Sequence, residues 1–222
     1  MTRLAVFDCD GTLVDSQANI CRAAVAAFDR NGLFPPPDAA VRRIVGLSLV
    51  EAMRVLAPEA GDAMQHRLAA DYKAAFRQLR TIGALDPEPL FPGIAEAIDT
   101  LLAHGWRLGV ATGKSDRGLA HILAHHGLAD RFVTLQTADR HPSKPDPAML
   151  MAAVAEAGGM PHRAAMIGDT SFDMAMARAA GAKAVGVAWG YHAPAELAAA
   201  VADAIVSDAR DLPRHLSALI AP

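Results

Sequence analysis

Six short apolar runs recur along this chain of 222 residues, and patterns typical of helices separate most of them. Continuously apolar runs of this length are typical of parallel strands that are buried on both faces. Strands that alternate with helices predict βαβ crossovers, which place helices on both faces of one sheet. The sequence therefore predicts an α/β fold with a doubly wound, Rossmann-like parallel sheet. The predicted strands are residues 4–7, 107–111, 132–135, 164–167, 184–187 and 204–206, and the predicted helices are residues 93–104, 115–126, 147–157, 172–180 and 194–202.

The segment that follows the first predicted strand breaks this alternation. Residues 15–85 contain no convincing strand, and the next stretch, residues 86–93, is rich in proline. Because proline and glycine favour turns and linkers, we expect a domain boundary there. The prediction is an α/β core of residues 1–14 and 86–222, with an inserted helical domain of residues 15–85. The predicted helices of the insertion are residues 16–31, 37–45, 49–56 and 58–80.

Charge and composition argue against several classes of function. The 24 acidic and 21 basic side chains give a net charge of −3, so nucleic acid or an anionic membrane is not an expected partner. No apolar stretch approaches the ~20 residues that cross a bilayer. Cys9 and Cys21 form no disulfide framework, and the four apolar residues before Asp8 are too few for a signal peptide. We therefore expect a cytoplasmic protein with reduced thiols, while its oligomeric state is not encoded in any visible pattern.

Two aspartates, Asp8 and Asp10, follow the first predicted strand directly. Carboxylates at the carboxyl end of a parallel strand can share a divalent cation, and that end carries the ligand site in doubly wound sheets. Gly11 allows the next backbone N–H groups to approach an anion closely. The alternative for this segment is an Asx-type turn, which Asp-Gly pairs often form.

Two further clusters offer groups for a phosphate. Thr112 and Gly113 follow the second predicted strand, and a hydroxyl with free N–H groups at a helix N-terminus suits an anion. The alternative is that Gly113 makes a turn and Ser115 caps the helix. Lys144 precedes another predicted helix, where it is either a fixed cation beside the anion or a solvated surface charge.

The fourth cluster, Asp169 and Asp173, follows the predicted strand at residues 164–167. Asp169 would bring another carboxylate to a metal ion. Asp173 either orients a metal-bound water or completes a capping box that Thr170 begins, and the two roles are compatible.

The four clusters, in this order, resemble the motifs of the haloacid dehalogenase-like hydrolase superfamily. The helical insertion is similar to the small helical cap of that superfamily, the type called C1. Residues 90–93 and 168–170 look most like the phosphoglycolate-phosphatase-like branch. The resemblance covers nearly the whole chain and rests on Asp8, Asp10, Gly11, Thr12, Thr112, Lys144, Gly168, Asp169 and Asp173.

The resemblance implies a Mg²⁺-dependent phosphatase that hydrolyses a small phosphate monoester, similar to phosphoglycolate, through an aspartyl-phosphate. Asp8 would be the nucleophile, which needs no general base because a carboxylate is already ionised at neutral pH. Asp10 would protonate the leaving alkoxide and then activate water. The phosphate-binding residues would be Gly11, Thr112, Gly113 and Lys144, and the metal ligands would be Asp8, Asp169 and the Asp10 carbonyl, with Asp173 beside them.

Two other functions remain open. A phosphomutase similar to β-phosphoglucomutase would carry the same four clusters, but residues 45–49 lack the Lys and Arg of the sugar-phosphate mutase cap pattern. A non-catalytic protein on the same scaffold would be expected to lose charged site residues, since burying them without function is costly. Asp10 itself argues against dehalogenase and phosphonate-hydrolase chemistry, because those branches lack an aspartate at this position.

Several other residues attract attention for weaker reasons. Cys9 lies between two carboxylates and is interpreted as a packed strand-end residue. His121 and His125 have helical metal-ligand spacing but no obvious third ligand. The loop at residues 189–192 either lines the cleft or packs against it. Candidates from the cap to face the substrate are Arg42, Arg43, Gly46, Leu47 and Ser48, although the sequence does not identify the substrate.

Overall fold

A computed structural model describes residues 2–221, and within that range it contains one sheet of six parallel strands. The strand order is β3-β2-β1-β4-β5-β6, the order of dinucleotide-binding doubly wound sheets. The predicted fold class is therefore confirmed. The strands are β1 (Leu4–Phe7), β2 (Arg107–Thr112), β3 (Thr134–Thr137), β4 (Ala164–Gly168), β5 (Lys183–Val187) and β6 (Ala204–Val206).

Four α-helices follow β1, in the segment where the insertion is predicted. They bury apolar side chains against one another, and Phe28, Met53 and Leu68 are the largest of these. The division of the chain into a core and a cap at residues 14/15 and 85/86 stays a prediction; Met1 and Pro222, which the predicted core includes, lie outside the described residues. The four helices are α1 (Gln17–Arg30), α2 (Asp38–Arg43), α3 (Leu49–Leu56) and α4 (Asp62–Thr81).

The remaining helices cover both faces of the sheet. Alternate residues of β1 point to opposite faces, so Ala5 and Phe7 join one apolar cluster while Leu4 and Val6 join the other. Each large apolar side chain buried in this way contributes about 1.5–3 kcal/mol. These helices are α5 (Ile94–Ala103), α6 (Asp116–His125), α7 (Ala148–Glu156), α8 (Ser171–Ala179), α9 (Pro194–Ala199) and α10 (Leu212–Leu219).

The third strand differs from its prediction by two residues. The apolar run at 132–135 was expected to be the strand, but pairing with β2 begins at Thr134. Phe132 instead packs its ring edge-on against Phe7, with 6.4 Å between ring centroids. The strand proper buries Thr134 and Gln136, whose polar groups are satisfied by hydrogen bonds, so apolarity alone misplaces it.

Two helices also differ from their predictions. The expected helix at 58–80 is broken at Gly61, where a short 3₁₀ turn (Pro58–Ala60) ends and φ is +72°. The expected helix at 194–202 ends at Ala199, just before Val201 adopts a positive φ of 62°. Helix α10 was not predicted, although Leu212 and Leu216 are spaced by four residues and both are buried.

Candidate active site

A buried ion-paired group lies at the carboxyl end of the sheet. Lys144 Nζ lies 3.0 Å from Asp8 Oδ1 and 2.7 Å from Asp173 Oδ1, and all three side chains are fully enclosed. Burial works to lower the pKa of Lys144, but the Asp173 and Asp8 carboxylates outweigh it and raise that pKa. Lys144 is therefore a buried cation held by two carboxylates, and the surface-charge alternative for it is wrong.

Asp169 joins this group from the end of β4. Its Oδ1 accepts a hydrogen bond from the Thr12 hydroxyl at 2.9 Å, and its Oδ2 accepts one from the Tyr191 N–H at 2.9 Å. Burial, followed by the negative charges of Asp173 and Asp8, raises the pKa of Asp169 well above its usual range.

Glycines at two positions allow the chain to approach the Asp169 carboxylate. A Cβ on Gly11 would lie 2.3 Å from Asp169 Oδ2, and the φ of Gly11 is +81°. A Cβ on Gly190 would lie 2.1 Å from the Cβ of Asp169. Any larger residue at either position would displace this carboxylate.

Asp173 has two sets of contacts. Its Oδ2 accepts hydrogen bonds from the Thr170 N–H at 3.1 Å and the Thr170 hydroxyl at 2.7 Å, which confirms the predicted capping box. Its Oδ1 faces Lys144. The capping box therefore also fixes the carboxylate that holds the buried ammonium.

This part of the site has donors and charge that suit a divalent cation. One oxygen from each of Asp8, Asp169 and Asp173 lies within 4.8 Å of the others, and Asp8 Oδ2 is buried without a hydrogen-bond partner. Three buried carboxylates face one buried ammonium, so two formal negative charges are left without a cation. Oxygen-rich donor sets of this charge are those that Mg²⁺ prefers.

Asp10 occupies a different environment from Asp8. Its Oδ1 accepts a hydrogen bond from the Ser16 hydroxyl and lies 2.8 Å from Lys114 Nζ. No donor within residues 2–221 bonds its Oδ2. Lys114 also lies over the ring of Phe76, with 5.9 Å between Nζ and the ring centroid. The Asp10 carboxylate is therefore held by one oxygen and has the other available.

Two phosphate-binding candidates lie at the end of β2, and the second of them, Gly113, is in close contact with the segment that joins α2 to α3. Thr112 is buried, and its Oγ1 accepts a hydrogen bond from the Lys114 N–H at 3.2 Å. A Cβ on Gly113 would lie 2.7 Å from the Gly46 carbonyl oxygen and 2.6 Å from that of Leu47. A Cβ on Gly46 would lie 3.8 Å from Asp8 Oδ2, so this segment encloses the unpartnered oxygen.

The loop at residues 189–192 connects the aspartates to the inserted helices. The Trp189 indole N–H donates to the Thr12 carbonyl at 3.1 Å, and the Tyr191 side chain packs among Ile20, Val41 and Val45. His192 Nδ1 accepts from the Ser171 N–H at 3.2 Å, and Nε2 lies 3.1 Å from the Arg43 carbonyl. Because a carbonyl can only accept, Nε2 carries the proton. The loop is therefore both a packing element and a support for Asp169.

The predicted site residues converge, and the weaker candidates divide into those that line the cleft and those that do not. Gly46, Leu47 and Ser48 line the cleft beside Asp10. Arg43 instead forms a surface ion pair with Glu196 at 2.6 Å, and Arg42 lines a separate groove. Within residues 2–221 the one acidic, histidine or cysteine group placed to hold a metal is Asp8, Asp169 and Asp173, so His121 and His125 gain no third ligand.

Lys114 is the residue that sequence reasoning missed. It lies between Gly113 and Ser115, and no role for its side chain is predicted from the sequence. A lysine directly after a strand end, in the same cluster as Thr112, was the available signal. Ser16, which donates to Asp10, carried no comparable signal because serine before a helix usually serves as a cap.

The fold and this constellation of residues define the class of protein. The chain belongs to the haloacid dehalogenase-like hydrolase family, whose model matches residues 5–187. The predicted resemblance is confirmed.

Individual relatives cover nearly the whole chain. The chain is 37% identical over 210 residues to Probable phosphatase IndB of Dickeya dadantii, covering 93% of this chain and 90% of that protein. It is 34% identical over 199 residues to a phosphoglycolate phosphatase of Rhodospirillum rubrum, covering 86% and 81%. A hydrolase structure from Pseudomonas syringae superposes over 100% of both chains with a TM-score of 0.85 at 27% identity.

No helix within residues 2–221 is long and apolar enough to cross a membrane.

Proposed function

We propose that this protein is a Mg²⁺-dependent phosphatase that hydrolyses a small phosphate monoester through an aspartyl-phosphate on Asp8. The observation that carries the proposal is the enclosed Asp8 carboxylate, with one oxygen on Lys144 and the other unpartnered. The relatives named phosphatase and phosphoglycolate phosphatase support a phosphoric monoester hydrolase. A cytoplasmic location remains a prediction.

Asp8 performs the first step in this proposal. Its carboxylate oxygen attacks phosphorus, a bond from that oxygen to phosphorus forms, and the ester P–O bond to the leaving group breaks. Lys144 and Thr112 supply positive charge and a hydroxyl donor to the phosphoryl oxygens, where negative charge spreads in the transition state. Backbone N–H groups at Gly11 and Gly113 are further donors to the same oxygens.

Asp10 handles the protons. In the first step its carboxyl group gives a proton to the leaving alkoxide, and in the second step its carboxylate takes a proton from the attacking water. Water then breaks the Asp8–phosphoryl bond, which releases inorganic phosphate, restores the Asp8 carboxylate and leaves Asp10 protonated for the next cycle. Asp10 lines the cleft in which the leaving group would lie, and Lys114 and Ser16 hold its Oδ1.

The residues that would hold Mg²⁺ are Asp8, Asp169 and the backbone carbonyl of Asp10, with Asp173 placed to orient water beside the ion. When bound, Mg²⁺ supplies two positive charges that neutralise the buried carboxylates and the transferring phosphoryl group.

The test is release of inorganic phosphate across a panel of phosphate monoesters that includes phosphoglycolate, with Mg²⁺ and with excess EDTA. We expect EDTA to abolish release and Mg²⁺ to restore it. Asp169→Ala should raise the Mg²⁺ concentration needed for half-maximal rate or prevent rescue. The matched control is Asp99→Ala, an exposed aspartate far from the cluster, which should behave as the unsubstituted protein. Full activity in excess chelator would refute the proposed metal dependence.

A phosphomutase remains the second candidate, because the four clusters do not separate the two reactions. The cap segment argues against it, since residues 45–49 offer no Lys or Arg to a sugar phosphate. Product analysis with β-glucose 1-phosphate and phosphoglycolate, in parallel, decides between them. Formation of the sugar 6-phosphate with little free phosphate from either compound would favour the mutase.

A further inference from the structure

A cleft of about 670 Å³ opens between the inserted helices and the loop after β2. It reaches Asp10 and Lys114 at its inner end, whereas Asp8 is fully enclosed behind Gly46. The leaving group of the proposed reaction would occupy this cleft, because Asp10 is the residue proposed to protonate it. The volume falls in the range of about 300–1,000 Å³ in which proteins bind drug-sized molecules. A two-carbon leaving group such as glycolate would fill little of it.

The wall of the cleft is largely apolar. The rings of Tyr72 and Phe76, on successive turns of α4, have centroids 5.9 Å apart and form one side of the cleft. Such a wall contacts an apolar surface favourably, and apart from the Tyr72 hydroxyl it offers no hydrogen bonds to a short, fully polar ligand. The other apolar lining residues are Ile20, Ala24, Val41, Val45, Met53 and Leu56.

The ionised side chains of the cleft are not balanced in charge. Two of its lysines have carboxylate partners: Lys114 with Asp10, and Lys73 with Asp139 at 3.7 Å. Three arginines of the lining, Arg77, Arg80 and Arg117, have no carboxylate within 4.0 Å in residues 2–221. This excess of cations occurs in a chain whose net charge is −3.

Arg80 is the most constrained of the three arginines. Its Nε is buried without a hydrogen-bond partner, and its guanidinium carbon lies 6.0 Å from the centroid of the Phe76 ring. Glu88, also in the lining, accepts a hydrogen bond from Asn19 at 3.0 Å and is not within ion-pair distance of Arg80. Because Nε is enclosed, an anionic ligand group in the cleft would bind Arg80 through its terminal guanidinium N–H groups, which have no carboxylate within 4.0 Å in residues 2–221.

We propose that the substrate is a phosphate monoester whose leaving group is larger than glycolate, with an apolar face against Tyr72 and Phe76 and a second anionic group that binds Arg80. This inference rests on the proposed phosphatase function and specifies its substrate class. Arg77 and Arg117 also line the cleft and add to its positive potential.

Three esters of primary alcohols separate the elements of this proposal. Phosphoglycolate has a second anion but no apolar body, benzyl phosphate has an apolar body but no second anion, and 4-carboxybenzyl phosphate has both. Because all three release a primary alkoxide, differences in kcat/KM report binding in the cleft rather than the ease of breaking the bond. We expect the highest kcat/KM with 4-carboxybenzyl phosphate.

Arg80→Gln tests the anion contact. We expect it to lower kcat/KM for 4-carboxybenzyl phosphate about tenfold more than for benzyl phosphate, mainly through KM, since a hydrogen bond to a charged group is lost. Arg67→Gln is the matched control, because Arg67 is an exposed arginine on the same helix that does not line the cleft. It should leave the ratio of the two kcat/KM values unchanged.

The outcomes separate this inference from the proposed function. Phosphate release from all three esters with phosphoglycolate preferred would overturn the inference and leave the phosphatase intact. An equal effect of Arg80→Gln on both benzyl esters would overturn the anion contact. No phosphate release from any ester in Mg²⁺ would overturn the phosphatase function and this inference together.

Discussion

At the scale of single residues, burial determines the chemistry of the site. Burial, partly offset by Lys144, raises the pKa of Asp8 to about 7, and the charges of Asp173 and Asp10 act in the same direction as burial. Local sequence pattern alone was enough to predict that the carboxylates lie at strand ends. It did not predict that Lys144 is fully buried or that Lys114 pairs with Asp10, because these contacts depend on how distant segments pack.

The first prediction concerns Asp8→Asn. We expect turnover to fall at least about a thousandfold, because an amide is a poor nucleophile, while the fold is retained. The thermal midpoint of the metal-free variant should not fall, since the substitution removes a buried charge with an unpartnered oxygen. Steady-state kinetics and thermal unfolding by circular dichroism measure the two effects. Substantial residual activity in a pure sample would remove Asp8 from this role.

The second prediction concerns Lys114→Met. Asp10 and Lys114 expose only 12% and 11% of their side chains, so loss of the cation leaves a largely buried carboxylate unpaired. We expect a loss of about 3 kcal/mol in the free energy of unfolding, measured by urea denaturation. Most of the lost unfolding free energy should return when Asp10→Asn is added to Lys114→Met. A double-mutant cycle of the two substitutions measures this recovery.

Lys73→Met is the matched control for that prediction. Lys73 pairs with Asp139 at 3.7 Å, and their side chains are 49% and 38% exposed. An exposed pair of this kind contributes at most about 1 kcal/mol. Equal losses of unfolding free energy in the two lysine variants would show that the Lys114–Asp10 contact does not stabilise the fold more than an exposed ion pair.

At the scale of elements, the segment at residues 44–48 lies against Asp8, since a Cβ on Gly46 would be 3.8 Å from Asp8 Oδ2. Its close contact with Gly113 joins the inserted helices to the loop after β2. The helical insertion, the strand ends and the Gly46 turn were all visible in the sequence. The third strand was misplaced because its buried polar residues are satisfied by partners on other elements, such as Glu156 on α7, which local pattern does not reveal.

The third prediction concerns Gly113→Ala. The added Cβ would lie 2.6 Å from the Leu47 carbonyl oxygen, so the segment at 44–48 must shift away from the loop. We expect kcat/KM for a phosphate ester to fall about tenfold or more, because small displacements of positioning groups are costly to catalysis. Gly159→Ala is the control, since its Cβ would meet its nearest atom at 3.6 Å. Equal activity of the two variants would show that this contact does not matter.

At the scale of the whole molecule, the uncompensated charge of the aspartate cluster links stability to pH and to metal. In the unfolded chain Asp8 has a pKa near 3.8, whereas in the folded protein it is about 7. Between these values the folded state binds more protons than the unfolded state, so metal-free stability decreases as pH rises. Asp169, whose pKa is also raised by burial, contributes in the same direction.

The fourth prediction follows from this linkage. The thermal midpoint of the metal-free protein should fall between about pH 4 and pH 7 through these groups, and Asp8→Asn should reduce the slope. Mg²⁺ binds the ionised carboxylates of the folded state, so the increase in midpoint that it causes should grow with pH. Calorimetry at several pH values, with and without Mg²⁺, measures both trends. An increase in midpoint that is independent of pH would contradict this assignment of the ligands.

In the proposed reaction the phosphoryl group passes through Asp8. The most direct measurement is to quench the reaction with acid during turnover, reduce the trapped acyl-phosphate with borohydride and locate the modified residue by mass spectrometry. We expect the modification to lie on Asp8, to require Mg²⁺ and to be absent from Asp8→Asn. Rapid phosphate release with no modification at Asp8, or with modification at another residue, would contradict it.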